Sequence, residues 1–316
     1  MLPGHPPTGQ TSTNGQALVR TTSGAEGNGV VTEIERVGVV GAGLMGSGIA
    51  EVSVRAGRDV IISEVDEQAA EAGRARIQQS LDRAVSKDKL SAADRDAALD
   101  RLRLTTDLSQ LADRQLVIEA IAEDADLKTD VFARLDSVVT DPDAILASNT
   151  SSIPIAKLAA ATGRSGNVLG IHFFNPVPVL KLVELVPALV TDERTVERAS
   201  AFATDRLGKQ TIRAQDRSGF IVNALLVPYL LSAVRMFESG FATAEDIDNG
   251  MVLGCAHPMG PLRLADLVGL DTLKAIADSM HAEYKESVYA APPYLQRMVD
   301  AGLCGTKSGR GFYTYD

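Results

Sequence analysis

The chain has 316 residues, which is too long for one ordinary hydrophobic core and fits two domains of about 100 to 200 residues each. Hydrophobic residues make up 45% of it and charged residues 23%, a balance that argues against a wholly disordered protein. The formal net charge of −10 disfavours nucleic acid or an anionic membrane surface as the main partner. An anionic substrate would therefore need a local basic patch.

The cysteines and the longest apolar segment bear on the cellular compartment. Cys255 and Cys304 have neither CxxC spacing nor the number expected of a disulfide framework, so we predict free thiols in a reducing cytoplasm and no metal site. The apolar run at 221–234 contains Asn223 and Pro228 and is shorter than the roughly 20 residues of a membrane span. We therefore expect a cytoplasmic protein that does not cross a membrane.

Residues 1–33 are rich in Gly, Thr, Pro, Ser and Asn and show no apolar period. Such a segment cannot bury enough apolar surface to offset the entropy of ordering, so we predict a disordered tail. It also lacks the basic start and the apolar stretch of a signal peptide.

From Ile34 onward, short apolar runs alternate with helix-length amphipathic stretches. This alternation is typical of an α/β fold in which crossover helices link the strands of a mostly parallel sheet. The predicted strands are 34–40, 60–64, 102–104, 116–119, 145–147, 168–174, 179–186 and 210–213, and the predicted helices are 44–55, 67–85, 127–139 and 192–207. We therefore predict a doubly wound domain over residues 34–216.

Beyond Phe220 every periodic stretch has helical spacing and none resembles a strand. Thr243 ahead of Glu245 and Asp246 predicts a helix start, because the hydroxyl can cap free amides and the acids face the positive end of the helix dipole. The predicted helices are 220–239, 244–253, 261–268, 272–284 and 293–301. Residues 217–316 are therefore predicted to form an all-helical domain that ends in a glycine-rich tail.

A GxGxxG pattern follows the first predicted strand and opens the first predicted helix. Gly41 permits the tight turn, Gly43 allows the backbone to approach a pyrophosphate, and Gly46 lets the helix pack closely on the strand. Leu44 and Met45, between the last two glycines, bring the free amides of the helix N-terminus to the same place. This context predicts a Rossmann-type dinucleotide site.

Glu64 ends the second predicted strand, at the position where an acid takes the ribose hydroxyls of the cofactor. A carboxylate there repels a 2′-phosphate, so NAD is favoured over NADP. Two alternatives stay open: the glycines could merely form a strand-to-helix turn, and FAD shares the pattern. An FAD-binding chain is usually larger and carries a second flavin-binding segment, which is not evident here.

His172 has the most suggestive setting of the four histidines. It lies where a predicted strand meets the proline-rich turn Asn175-Pro176-Val177-Pro178. If the flanking runs fold back about Pro178, His172 and Glu184 become cross-strand neighbours. The carboxylate would then fix the imidazole tautomer for acid–base catalysis. The alternative is a hydrogen-bonded structural histidine.

The chain resembles the monofunctional L-3-hydroxyacyl-CoA dehydrogenases, close to the bacterial 3-hydroxybutyryl-CoA branch. The motifs that carry the resemblance are GAGLMGSGIA, VIEAIAED, ASNTSS, GIHFFNPVPVLKLVEL, GFIVNALLVPYL, EDIDNGM, HPMGPLRLADLVGLD and KSGRGFY, within residues 34–316. The resemblance implies a homodimer that oxidises a short 3-hydroxyacyl-CoA in fatty-acid β-oxidation or butyrate metabolism, with the helical domain serving substrate binding and dimerisation.

The resemblance also implies roles for individual residues. His172 and Glu184 would form the catalytic dyad, and Ser151 and Asn223 would hold the 3-oxygen of the substrate. The remaining positions divide between the cofactor and CoA: Glu123 and Lys128 on the nicotinamide ribose side, Ser148 and Asn175 near the nicotinamide, and Ser80 and Lys87 at the CoA moiety.

Several alternatives weigh against these assignments. Ser151 could instead cap a helix, and Lys87 could be a solvated charge. Ser218 and Ala224 stand where the family usually has Pro and Arg, which bears on affinity and chain-length preference. The rival functions are a lysine-dependent 3-hydroxyacid dehydrogenase and a non-catalytic crystallin-like relative.

Overall fold

The computed structural model describes residues 33–315, which belong to one compact unit. The predicted tail lies outside the described residues except for Glu33. No helix within residues 33–315 combines the length and apolar character that crossing a membrane requires.

Eight strands form one sheet in the order β3-β2-β1-β4-β5-β6-β7-β8. All neighbouring strands are parallel except β6 and β7. The strands are β1 Arg36–Val40, β2 Asp59–Ser63, β3 Leu102–Thr105, β4 Leu116–Glu119, β5 Ile145–Ser148, β6 Val168–Phe173, β7 Leu182–Pro187 and β8 Gln210–Arg213. The predicted doubly wound, mostly parallel sheet is confirmed.

Helices cover both faces of this sheet. Ile62 and Ile118 belong to a core that α1 and α2 cover on one face, whereas their neighbours Ile61 and Val117 belong to a core under α4 and α5 on the other. Alternate side chains of a strand point to opposite faces, so burial on both faces explains why the strands are almost wholly apolar. The helices are α1 Leu44–Arg55, α2 Glu67–Ser86, α3 Ala92–Asp100, α4 Ala125–Val138, α5 Ile155–Ala159 and α6 Glu193–Ala201, with a π-helical turn at Phe202–Arg206.

The helices α3 and α5 were not predicted from the sequence. Helix α3 buries only Ala98, so it has almost no apolar face to detect, although Ser91 caps it. Helix α5 has five residues, too few to show a period. Its first amides, from Ile155 and Ala156, donate to the carboxylate of Asp216, which is distant in sequence.

The predicted strand at 179–186 starts too early, because β7 begins at Leu182. The amides of Val179 and Leu180 both donate to the carbonyl of Pro176, which makes a turn of this segment. Lys209 stabilises that turn by donating to the carbonyls of Val177 and Leu180.

The helical region follows β8 and packs around its own apolar core. Its helices are α7 Val222–Glu238, α8 Ala244–Cys255, α9 Pro261–Val268, α10 Leu270–Tyr284 and α11 Pro293–Asp300. The predicted cap is confirmed, since the Thr243 hydroxyl accepts a hydrogen bond from the amide of Asp246. Cys255 and Cys304 are free thiols, as predicted. The helical part of the predicted fold is therefore confirmed as well.

Candidate active site

The glycine loop between β1 and α1 leaves no room for side chains at two of its three positions. A Cβ on Gly41 would lie 2.7 Å from the carbonyl oxygen of Ala120, and one on Gly46 would lie 1.9 Å from the carbonyl oxygen of Gly41. A Cβ on Gly43 would meet nothing within 4 Å. Gly43 therefore faces open space, as close approach of a pyrophosphate requires.

This loop borders a crevice of about 700 Å³ at the carboxyl ends of the central strands, with Leu44, Met45 and Glu64 in its wall. No side chain caps the N-terminus of α1, so its first amides are available to a phosphate. The Glu64 carboxylate accepts a hydrogen bond from the amide of Ala42, inside the glycine loop. The residues present thus fit a dinucleotide along this edge of the sheet.

His172 and Glu184 are register partners in the antiparallel pair β6 and β7, as their symmetry about Pro178 predicts. The imidazole Nδ1 lies 2.7 Å from Oε2 of Glu184. The other carboxylate oxygen, Oε1, accepts hydrogen bonds of 3.0 Å from the amides of Ile221 and Val222. Glu184 thereby caps the start of α7 with its carboxylate.

The turn into α7 depends on unusual backbone angles at Gly219 and Phe220, whose φ values are +84° and +47°. A positive φ is costly for a phenylalanine, and such strain is found where a site demands it. Here the turn packs the Phe220 ring at 5.3 Å from the His172 ring, while Phe174 contacts the same imidazole at 4.6 Å. These aromatic contacts help leave His172 only 4% exposed.

The free edge of the imidazole faces Ser151. The His172 Nε2 atom lies 3.0 Å from the Ser151 hydroxyl oxygen, so serine, histidine and glutamate form one hydrogen-bonded line. The alternative that Ser151 caps the following helix is wrong, because the Asp216 carboxylate takes the first amides of α5.

Glu123 holds the loop that carries Ser151. Its Oε1 atom accepts hydrogen bonds from the Thr150 hydroxyl, from the amides of Ser151 and Ser152, and from the Ser152 hydroxyl. Burial alone would raise the pKa of Glu123, but the Lys128 charge and these hydrogen bonds outweigh burial and hold it below its ordinary value. The carboxylate is therefore ionised at neutral pH.

Lys128 is buried between two carboxylates. Its Nζ atom lies 2.5 Å from Oε1 of Glu119 and 3.2 Å from Oε2 of Glu123. The second oxygen of Glu119 accepts a 2.6 Å hydrogen bond from the Ser148 hydroxyl. Lys128, Glu123 and Ser148 were predicted as site residues, but Glu119 was not. Its signal in the sequence is a charged residue at the end of an apolar strand.

The remaining predicted site residues lie outside the hydrogen-bonded line of Ser151, His172 and Glu184. Asn223 is buried in the first turn of α7, next to the Val222 amide that binds Glu184. Asn175 and Ser80 line a second cavity of about 230 Å³ between α1, α2 and the proline turn. Lys87 is an exposed residue at the C-terminus of α2 and does not line that cavity.

The second cavity also contains three charged residues that sequence analysis missed: Glu51, Arg76 and Arg83. Burial raises the pKa of Glu51, although a hydrogen bond from Ser80 and the charge of Arg55 act against that rise. The two arginines place basic side chains in the wall of this cavity.

Ser218 stands where the family usually has Pro, and its backbone amide hydrogen, which proline lacks, makes a hydrogen bond. Its amide donates to the Glu283 carboxylate at 2.9 Å, and its carbonyl accepts from the Tyr284 hydroxyl at 3.0 Å. The substitution therefore ties the start of the Gly219 turn to α10. No structural consequence is evident for Ala224.

Comparison with known proteins identifies relatives across the whole described chain. Residues 36–217 match the family model described as 3-hydroxyacyl-CoA dehydrogenase, NAD binding domain, and residues 219–315 match the C-terminal domain of the same family. A 3-hydroxybutyryl-CoA dehydrogenase of Mycobacterium tuberculosis is 66% identical over 282 residues, covering 89% of this chain and 99% of the relative.

A more distant relative and a solved structure indicate the same family. The human mitochondrial hydroxyacyl-coenzyme A dehydrogenase is 40% identical over 304 residues, covering 94% of this chain and 96% of the relative. The crystal structure of FadB2 from M. tuberculosis superposes with a TM-score of 0.89 at 65% identity, covering 90% of this chain and all 100% of that one. This chain belongs to the 3-hydroxyacyl-CoA dehydrogenase family.

Proposed function

We propose that this chain interconverts a short L-3-hydroxyacyl-CoA and the corresponding 3-ketoacyl-CoA. The preferred substrate is 3-hydroxybutyryl-CoA. The observation that carries the proposal is the line from Ser151 through His172 to Glu184 beside the glycine crevice. The names of the relatives support the substrate class. The chemistry belongs to fatty-acid or butyrate metabolism.

In the oxidation direction, Nε2 of His172 takes the proton of the substrate 3-hydroxyl. The Nδ1 proton stays on the imidazole and is donated to the carboxylate of Glu184, which stabilises the imidazolium. Ser151 and Asn223 donate hydrogen bonds to the substrate oxygen as it becomes a carbonyl. The glycine loop and Glu64 would hold a nicotinamide dinucleotide, which would supply the hydride acceptor for the substrate C3. In reduction, His172 acts as the acid.

The cavity beside Ser80 suits the CoA moiety, because Arg76 and Arg83 can pair with its phosphates. Lys87 can reach the same phosphates from the end of α2 only as a solvated charge. Glu64 at the end of β2 disfavours a 2′-phosphate, which supports NAD over NADP. Exposed apolar residues on the helical region, such as Phe241 at 79% and Leu253 at 82%, support a homodimer, and sedimentation velocity measures that state.

The experiment is a series of 3-ketoacyl-CoAs of increasing chain length, assayed in parallel with NADH and NADPH. We expect the highest kcat/KM with acetoacetyl-CoA and NADH. Replacing the base by His172→Asn should lower kcat by about 10² to 10⁴, the usual range for loss of a general acid or base. His281→Asn, on α10, is the matched control.

Three outcomes would contradict the proposal or part of it. No turnover with any 3-ketoacyl-CoA would favour the crystallin-like alternative. Undiminished turnover in His172→Asn would exclude the proposed acid–base role and reopen the lysine-dependent alternative. Equal kcat/KM at every chain length would remove the short-chain assignment.

A further inference from the structure

The proposed mechanism leaves one buried acid at the site without a role. Glu119 is the last residue of β4 and is 0% exposed. Its Oε1 atom accepts from Lys128 Nζ at 2.5 Å and from the Ile121 amide at 2.7 Å, and its Oε2 atom accepts from the Ser148 hydroxyl at 2.6 Å. Burying a carboxylate costs free energy unless its oxygens find partners, and Glu119 accepts three hydrogen bonds.

Two chains of polar contacts run from Glu119 to the loop at 149–152, the first made of hydrogen bonds and the second including an ion pair. In the first, the Ser148 hydroxyl that donates to Glu119 accepts from the amide of Thr150 at 3.1 Å. This link follows from the sheet, because Glu119 and Ser148 are register partners in β4 and β5. The first chain therefore fixes the loop where it leaves β5.

The second chain runs through the ammonium group of Lys128. Lys128 lies 3.2 Å from Oε2 of Glu123, and Oε1 of Glu123 accepts from the Ser151 amide at 3.0 Å. Without Glu119, the ammonium would have Glu123 as its only carboxylate partner among the described residues. The carboxylate that anchors the Ser151 loop would then be drawn toward Lys128.

We propose that Glu119 is a positioning residue that sets the Ser151 hydroxyl against Nε2 of His172. The inference rests on the proposed function, since it assigns importance to the 3.0 Å contact between those two atoms. Glu119→Gln keeps the shape of the side chain but removes the charge. Its amide nitrogen must then face either the ammonium of Lys128 or the Ser148 hydroxyl, so at least one chain is disturbed.

The test is a double-mutant cycle between Glu119→Gln and Ser151→Ala. If Glu119 acts through Ser151, Glu119→Gln lowers kcat about tenfold in the wild-type background but no more than about twofold once the hydroxyl is absent. Asp136→Asn is the matched control. Asp136 lies on α4, as Lys128 does, but it is not part of the site. It forms an ion pair with Arg164, with 2.7 Å between Oδ1 and Nε. It should change kcat by the same factor in both backgrounds.

A second measurement needs neither substrate nor cofactor. The chain has four histidines, so ¹⁵N NMR can follow the Nε2 resonance of His172 in the free protein. Glu119→Gln should move that resonance toward its position in Ser151→Ala, because both variants weaken the same hydrogen bond. Asp136→Asn should leave it in place.

The outcomes separate failure of this inference from failure of the proposed function. If Ser151→Ala leaves kcat unchanged, the proposed role of Ser151 fails. If Ser151→Ala lowers kcat but Glu119→Gln has the same effect in both backgrounds, or no effect in either, the role of Glu119 is overturned. Should Glu119→Gln not fold, Ser148→Ala breaks the first chain alone and must show the same non-additivity and the same shift of the His172 resonance.

Discussion

Both the α/β region and the helical region bury carboxylates, but they stabilise them with different partners. In the α/β region, Glu184 binds an imidazole and Glu119 an ammonium group. In the helical region, Asp248 and Asp266 are 4% and 0% exposed and make no ion pair with any residue in 33–315. The two regions therefore meet the same desolvation cost by different means.

Asp266 shows how the helical region manages without a cation. Its oxygens accept from the amides of Phe312 and Tyr313 and from the Tyr315 hydroxyl. The approach is so close that a Cβ on Gly311 would lie 1.9 Å from Oδ1. Burial, together with the charge of nearby Asp248, leaves the pKa of Asp266 raised despite these donors.

The difference in partners indicates which buried acids can take part in chemistry. Fixed amides and hydroxyls can hold an acid, but only a titratable or cationic partner lets that acid influence proton transfer or a neighbouring charge. We therefore expect substitution of the buried acids Glu184 and Glu119 to impair turnover and substitution of the buried Asp266 to impair stability.

The largest expected effect is on turnover in Glu184→Gln. The amide oxygen can keep the hydrogen bonds from Ile221 and Val222, which turns the NH₂ group toward Nδ1 of His172. Donation to Nδ1 places the imidazole proton on Nε2, where a base must be free, so kcat should fall about 10³-fold.

Steady-state kinetics alongside thermal unfolding measure this effect. The exposed Glu197→Gln, on α6, is the control and should retain both activity and stability. A Glu184→Gln protein with normal turnover would break the comparison, because the acid would then be structural, as in the helical region.

The next effect is on stability in Asp266→Ala. Removing the carboxylate leaves two partly buried amides and a partly buried hydroxyl without an acceptor, and each such group costs about 1 to 3 kcal/mol when water does not reach it. We expect the free energy of unfolding to fall by about 3 kcal/mol, with kcat per folded molecule retained. Urea unfolding gives the first quantity and active-site titration the second. Asp300→Ala, at the exposed end of α11, should change neither.

The smallest effect is on how the free energy of unfolding changes at acid pH, to which Glu123 and Asp266 should contribute with opposite signs. The folded pKa of Glu123 is lowered, so its contribution is present above the ordinary value of 4.5 and is lost as pH falls through the folded pKa. The folded pKa of Asp266 is raised, so its contribution is present below 3.8 and is lost as pH rises through the folded pKa.

Urea unfolding of Glu123→Gln and Asp266→Asn across this pH range measures both signs. Relative to the wild type, Glu123→Gln should lose less stability on acidification and Asp266→Asn should lose more. Changes of the same sign in both variants would show that the two acids are not held differently.

Sequence patterns were sufficient where the structure depends on local periodicity. The bounds of α1, α9 and β4 agree with the predictions, because the helices have an apolar period and β4 is an apolar run. The pairing of His172 with Glu184 was also predictable, since a turn centred on Pro178 fixes the register of the two strands.

The rest depends on contacts between segments that are distant in sequence. Nothing near Ile155 shows that Asp216 caps α5, and nothing near Glu184 shows that the amides of α7 bind it. Glu119 was missed for the same reason. Its partners are Lys128 on the following helix and Ser148 on the neighbouring strand, and the local sequence does not show that they meet.

The pair of amides at the start of α7 has a consequence for how far this molecule can be taken apart. Glu184 belongs to the sheet, yet half of its acceptor capacity is filled by Ile221 and Val222, beyond the last strand. A fragment that stops at β8 would deprive that oxygen of both amide donors, and a chimera with another helical segment would restore them only if the first turn of that segment lay at the same place. The segments before and after residue 218 are thus separable as sequences but inseparable as a catalyst.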